Sequence, residues 1–176
     1  MAFPLCQYGR VMSARVRELK TLLDQLVKRV GEDDDAEFTA GEETLRREAV
    51  GHFIAGGEML LEEATPFLWA YYRTTAGEFT VEERKDYGVS QISDSVDIWE
   101  HVHFYSAPTW RPGGGPLEPG QSYLSFEGEV SWEREHGLQL VFERGQHVCK
   151  VGPYDGHLTN AHAFGDAALL GTVFVR

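Results

Sequence analysis

Cysteine is nearly absent: Cys6 and Cys149 are the only two in 176 residues. Two such thiols build neither a disulfide scaffold nor, by themselves, a zinc finger. No apolar run approaches the ~18 residues that a membrane span requires, so no integral membrane protein and no membrane partner is expected. The opening stretch 1–10 lacks the basic residues and apolar core of a secretory signal. These absences together predict a cytoplasmic protein with reduced thiols. Basic residues are also scarce, 16 against 28 acidic ones, for a formal charge of −12. A field of that sign repels a polyphosphate backbone, which argues against nucleic acid and for a protein partner of basic character.

What is present is a globular composition, 42% hydrophobic and 12% aromatic. The length suits one domain over 1–176, with residues 1–90 mainly helical and 91–176 mainly antiparallel sheet. The charge is unevenly spread. Residues 10–29 carry a net +4, whereas residues 32–63 carry −9, three quarters of the excess. The acidic stretch reads either as a docking face for a basic partner or as a solubilising surface beside a basic helix.

From Ser13 to Val30, apolar residues Val16, Leu19, Leu22, Leu23, Leu26, Val27 and Val30 recur at helical steps, with Ser13 as N-cap and Gly31 as terminator. That stripe could pack on the core or pair with a second copy in a homodimer. The run Glu32-Asp33-Asp34-Asp35 lacks calcium-loop spacing and reads as linker. Thr39 with Glu42, and Thr80 with Glu83, form capping boxes for two further helices. Gly56-Gly57 ends the first of these and Gly88 the second. Thr65-Pro66 marks a fresh helical start or a kink, and Phe67, Trp69, Tyr71 and Tyr72 read as core.

Beyond residue 95 the apolar period becomes two. In Val96–Tyr105 the even residues Val96, Ile98, Val102 and Phe104 are apolar, leaving Asp97, Trp99, His101, His103 and Tyr105 on the other face. Leu124, Phe126, Val130 and Trp132 alternate next, then Leu138, Leu140 and Phe142, then His147–Val151. Gly171–Arg176 could add an edge strand. The fold class is α+β: a helical amino-terminal half packed on one face of an antiparallel β-meander. Ala107–Gly120 holds four prolines and four glycines in fourteen residues and reads as a loop presenting Trp110 and Arg111 at its tip. Gly113-Gly114-Gly115 lacks the lysine, serine and helix start of a phosphate loop.

The stretch Tyr123–Leu138, containing Trp132-Glu-Arg-Glu-His136-Gly137-Leu138, and the later Val151-Gly-Pro-Tyr-Asp155-Gly156 resemble a widespread bacterial family of small cytoplasmic domains of unknown function. The similarity covers about residues 91–166, with the first ninety less family-like. It implies an α+β fold without an established activity, and a loose association with immunity-type proteins. Physically, Gly137 would supply a positive φ that lets Trp132 and Leu138 share one core across a hairpin, and Asp155-Gly156 is a tight-turn dipeptide.

Two constellations could carry chemistry. His101 and His103, two apart on one strand face, would stand about 7 Å apart, with Glu127 and Glu129 beside them if the strands pair. Such a set could hold a divalent metal for a hydrolase, or form a polar cross-strand ladder. Glu133, Glu135, His136, Asp155 and His157 could join at strand ends for binding or acid–base work. No nucleophile accompanies them. Cys149 lies among valines and reads as inert, and Ser122, Ser125 and Ser131 lack a nucleophile elbow. The reading favoured here is a non-enzymatic interaction module for a basic partner, with Trp110, Arg111 and the second constellation as its binding surface. The metal-dependent hydrolase and the homodimer through the helix at 13–30 are the alternatives.

Overall fold

A computed structural model describes residues 5–28, 38–89 and 92–176. Helix α1 spans Leu5–Lys28. Met12, Val16, Leu19 and Leu23, at steps of three and four, are all buried on one face. The helix begins well before Ser13, so that residue is no cap; its hydroxyl donates to the Glu58 carboxylate instead. Of the stripe, Val16, Leu19, Leu22 and Leu23 belong to the central core, the first of the two expected readings. Val30, Gly31 and the acidic run 32–35 lie outside the described residues.

Helix α2 (Ala40–Gly56) opens with the expected Thr39–Glu42 capping box and buries Ala49, Val50 and Phe53. Helix α3 (Glu58–Ala76) continues through Thr65-Pro66, so of the two expected alternatives the helix carries on and no fresh start occurs. The Thr65 hydroxyl donates to the Leu61 carbonyl at 2.8 Å and accepts the Trp99 indole N–H at 2.8 Å. Pro66 stands on the exposed side of the helix, where the Glu62 carbonyl that it leaves without an N–H donor can meet water. Helix α4 (Val81–Asp86) has the second capping box.

The sheet contains β1 (Val102–Phe104), β2 (Thr109–Pro112), β3 (Ser122–Val130), β4 (Glu133–Glu143) and β5 (His147–Gly152). All pairings are antiparallel, in the order β1-β3-β4-β5, with β2 also pairing β3. The even residues of β3 meet their β4 partners in register, Leu124 with Phe142 and Phe126 with Leu140. Helices cover that face: the Phe53 ring centroid lies 4.8 Å from Phe126 and 5.0 Å from Phe142. The architecture is α+β, amino-terminal helices against a five-stranded antiparallel sheet. The opposite face is partly covered as well. Tyr123, Val141 and Leu158 are buried there against Cys149, beneath the segment leading into the short helix α5 (Asn160–Phe164).

Three expectations are corrected. The strand read over Val96–Tyr105 is a 3-10 helix at Ser95–His101 followed by only three strand residues. The alternation fails at Glu100, whereas Ile98, Trp99 and Val102 share a helical-turn spacing and are all buried. Trp99 therefore faces inward. The loop 107–120 contains β2, whose Pro112 is tolerated at the strand end. Trp110 is consequently no exposed tip: it is 4% exposed, edge-on to the Phe38 ring at 5.2 Å. Residues 171–176 form no assigned strand, although the Val151 amide donates to the Val173 carbonyl at 2.8 Å.

Candidate functional site

The β3–β4 hairpin turns at Ser131-Trp132, and its register jumps. Gly128 pairs with Leu138, yet Val130 already pairs with Glu133. Arg134 to Gly137 therefore bulge outward opposite Glu129, so Gly137 serves a bulge rather than the hairpin turn. Gly137 has φ +62°, and a Cβ there would lie 2.5 Å from the Gly128 carbonyl oxygen. Only glycine permits this approach. Trp132 and Leu138 both reach the core, as the motif suggested.

The bulge is tied down on several sides. The Glu133 carboxylate accepts the backbone N–H of Glu135 at 2.9 Å and of His136 at 3.2 Å. The Tyr71 hydroxyl donates to the Gly137 carbonyl at 2.8 Å, and the Tyr154 N–H donates to the His136 carbonyl at 3.1 Å. The last bond joins the two motif turns. It also places Tyr154 at the rim.

Strand β1 supplies the facing wall. His103 pairs with Glu129 across the ladder, and the Tyr105 hydroxyl donates to Glu127 at 3.0 Å. His101, one residue before the strand, has its Nδ1 3.3 Å from the Ser131 hydroxyl. Burial lowers the His101 pKa against the opposing pull of Glu100 and Asp97. Burial first, then Glu127, raises the Tyr105 phenol. Between these walls lies an open groove of about 620 Å³ lined by Glu100, Glu127, Glu129, Glu133 and Glu135, by His101, His103 and His136, and by Tyr105 and Tyr154. Among the described residues its one arginine is Arg134, whose guanidinium carbon lies 4.6 Å from the Tyr87 ring centroid. Of the described acidic residues between 38 and 63, none lines the groove.

The groove thus unites His101, His103, Glu127 and Glu129 with Glu133, Glu135 and His136. It does not make a metal centre of them. Among the described residues no group of three or more histidine, cysteine, aspartate or glutamate side chains is arranged to hold a metal ion. The reason is local: His101 lies in the 3-10 turn facing Ser131, and Glu127 is engaged by Tyr105. The metal-dependent hydrolase reading loses its basis there.

Asp155, His157 and Arg111 lie apart from the groove. Asp155 pairs with the ammonium of Lys150, whose side chain is 2% exposed, and accepts the His157 N–H at 2.8 Å. Burial raises the Asp155 carboxyl, but Lys150 and the His157 amide together hold it below its ordinary value. Burial lowers Lys150 by more than Asp155 restores it. The Arg111 guanidinium donates to the Gly156 carbonyl. His157 Nδ1 lies 3.4 Å from Asp155 without a hydrogen-bonding angle. Cys149 donates toward the Val141 carbonyl at 3.4 Å, and burial pushes its thiol up, so it stays protonated. Sequence reasoning missed Lys150 and Tyr154. The signal for Lys150 was a lone charge between Cys149 and Val151.

Fold and groove define a small α+β domain with an acidic, aromatic-rimmed cleft, and nothing among its described residues forms a metal cluster or a span-length apolar helix. The chain belongs to the family described as a domain of unknown function, DUF6985, whose profile matches residues 16–158. The match includes α2, α3 and the second half of α1, so the helical half is part of the family domain as well as the sheet. No curated protein and no solved structure matches it significantly.

Proposed function

We propose that this domain is a non-enzymatic protein-interaction module whose acidic groove receives a lysine- or arginine-bearing segment of a basic partner. One observation carries the reading: among the described residues five glutamates line one cleft, while its single arginine there is drawn onto Tyr87. A cation about 7 Å from one carboxylate gains about 0.6 kcal/mol in bulk water and about 2 kcal/mol at an effective dielectric of 20. Several such terms add to an attraction that salt weakens. Tyr105 and Tyr154 at the rim are 56% and 42% exposed, offering faces for cation–π and apolar contact. The tied bulge supports the reading further, since a preorganised wall loses little entropy on binding. An immunity-type role, in which this surface neutralises a basic partner by covering it, is the form the proposal takes.

Chemical-shift mapping tests it. A lysine- and arginine-rich peptide should perturb His103, Tyr105, Glu129 and Tyr154 at low salt, and an acidic peptide of equal length should not. Perturbations confined to other surfaces would overturn the assignment.

A further inference from the structure

Two exposed histidines, His103 and His136, line the acidic groove together with its glutamates. Each stands against one carboxylate. His103 is the register partner of Glu129 across the β1–β3 ladder, where directly opposed side chains have Cβ atoms about 5 Å apart. His136 holds its Nδ1 3.6 Å from Glu133 Oε1. Histidine is the side chain whose charge changes between pH 5 and 8, a range in which glutamate as a class stays ionised. The other charged and titratable groups of the lining are Glu100 and His101 from the 3-10 turn, Tyr105 just beyond β1, Glu127 from β3, Arg134 and Glu135 from β4, and Tyr154. His101 faces the Ser131 hydroxyl rather than a carboxylate, and burial opposes its charging. From α1, Glu18 reaches β1 but accepts the Phe104 N–H and pairs with Arg15. From α3, the Tyr71 hydroxyl is spent on the Gly137 carbonyl.

We propose that His103 and His136 make the groove a pH-dependent binder, which holds a basic segment at neutral pH and releases it in mild acid. This regulation rests on the groove being the binding surface. With all its histidines neutral, five glutamates against Arg134 give the lining a formal charge of −4; protonating His103 and His136 halves it to −2. The position of the new charges matters as much as their number. Each arrives beside a carboxylate, so Glu129 and Glu133 are then matched from within the protein. An incoming arginine or lysine meets a like charge where it had met an opposite one, and like charges brought together at an interface repel. Both rings are exposed, so they gain and lose protons without unfolding the sheet that carries them.

Calorimetry of the full chain with an acetylated, amidated arginine-rich peptide, at pH 7.5 and 5.5 and one low salt concentration, tests this. Arginine keeps its charge at both pH values, so the peptide itself does not titrate. The unaltered chain should bind about tenfold more weakly at pH 5.5, as two added cations about 7 Å from the ligand's charge imply. Its fold is checked by circular dichroism at both pH values. His103→Gln/His136→Gln should differ by less than about twofold between the two pH values, whatever its affinity at pH 7.5. Binding by the unaltered chain that is equal at both pH values would overturn the switch and leave the groove reading standing. An acid-induced loss of the same size in the histidine variant would do so too. Absence of binding at pH 7.5 would overturn both.

Discussion

Replacing Asp155 by asparagine strands a buried ammonium. The Lys150 side chain is 2% exposed, and beyond Asp155 its acceptors are the His157 carbonyl at 3.1 Å and Gln139 Oε1 at 3.4 Å. Breaking a buried pair by removing one partner costs about 3–5 kcal/mol. Asp155 itself is 37% exposed, so water screens the pair, and about 2–3 kcal/mol is the expected loss. Lys150→Met should behave differently. It removes the charge that burial already disfavours, keeps a similar volume, and leaves Asp155 solvated; the expected change is under about 1 kcal/mol. The double variant should then be far less impaired than Asp155→Asn alone. Urea unfolding at pH 7 measures all three. The pH dependence carries a sign as well. With its folded pKa lowered, Asp155 contributes stability that is present above the ordinary carboxylate range and lost as pH falls through the folded value. Asp155→Asn should flatten that acid limb. A loss below about 0.5 kcal/mol in Asp155→Asn, or a Lys150→Met variant worse than Asp155→Asn, would refute the reasoning.

Gly137→Ala should cost about 2 kcal/mol or more, because its φ of +62° and the Gly128 carbonyl oxygen 2.5 Å from a Cβ act together; an unshifted urea midpoint would contradict the tied bulge. Trp110→Ala should lose about 3–5 kcal/mol of stability, as expected for a buried ring rather than a surface anchor, and a stable variant that loses only peptide affinity would reverse that assignment. For His101, burial lowers the folded pKa, so between that value and the ordinary one near 6.5 the unfolded chain binds more protons. Stability should therefore fall as pH drops through this window, less so in His101→Gln; thermal melts at a series of pH values measure it.

The helices were legible because their signals are local. Thr39 with Glu42 and Thr80 with Glu83 form the capping boxes that their spacing implies. In β3 and β4 the residues Leu124 and Phe126 meet Phe142 and Leu140 as their two-residue spacing implies, and the β1–β3 register brings Glu129 opposite His103. Misreadings arose where short-range pattern met tertiary packing. Two-residue alternation placed Trp99 outside, but one helical turn lets Trp99 reach the Thr65 hydroxyl. Proline and glycine density disguised β2, whose pairing with Tyr123, Leu124 and Ser125 is non-local. The groove itself was half legible. Its histidines and glutamates had been grouped by strand face and turn, yet their union depends on a four-residue bulge that no periodicity announces. Tyr154 joins them through the hydrogen bond that its backbone N–H donates to the His136 carbonyl.

The most direct measurement compares a lysine- and arginine-rich peptide binding to the unaltered chain and to Glu127→Gln/Glu129→Gln/Glu135→Gln, by calorimetry at low and at moderate salt. At about 0.6 kcal/mol or more per removed charge, the triple variant should bind at least about tenfold more weakly at low salt, with the gap narrowing as salt rises. Equal affinity of both proteins for the peptide, or a gap indifferent to salt, would contradict the acidic groove as the binding surface.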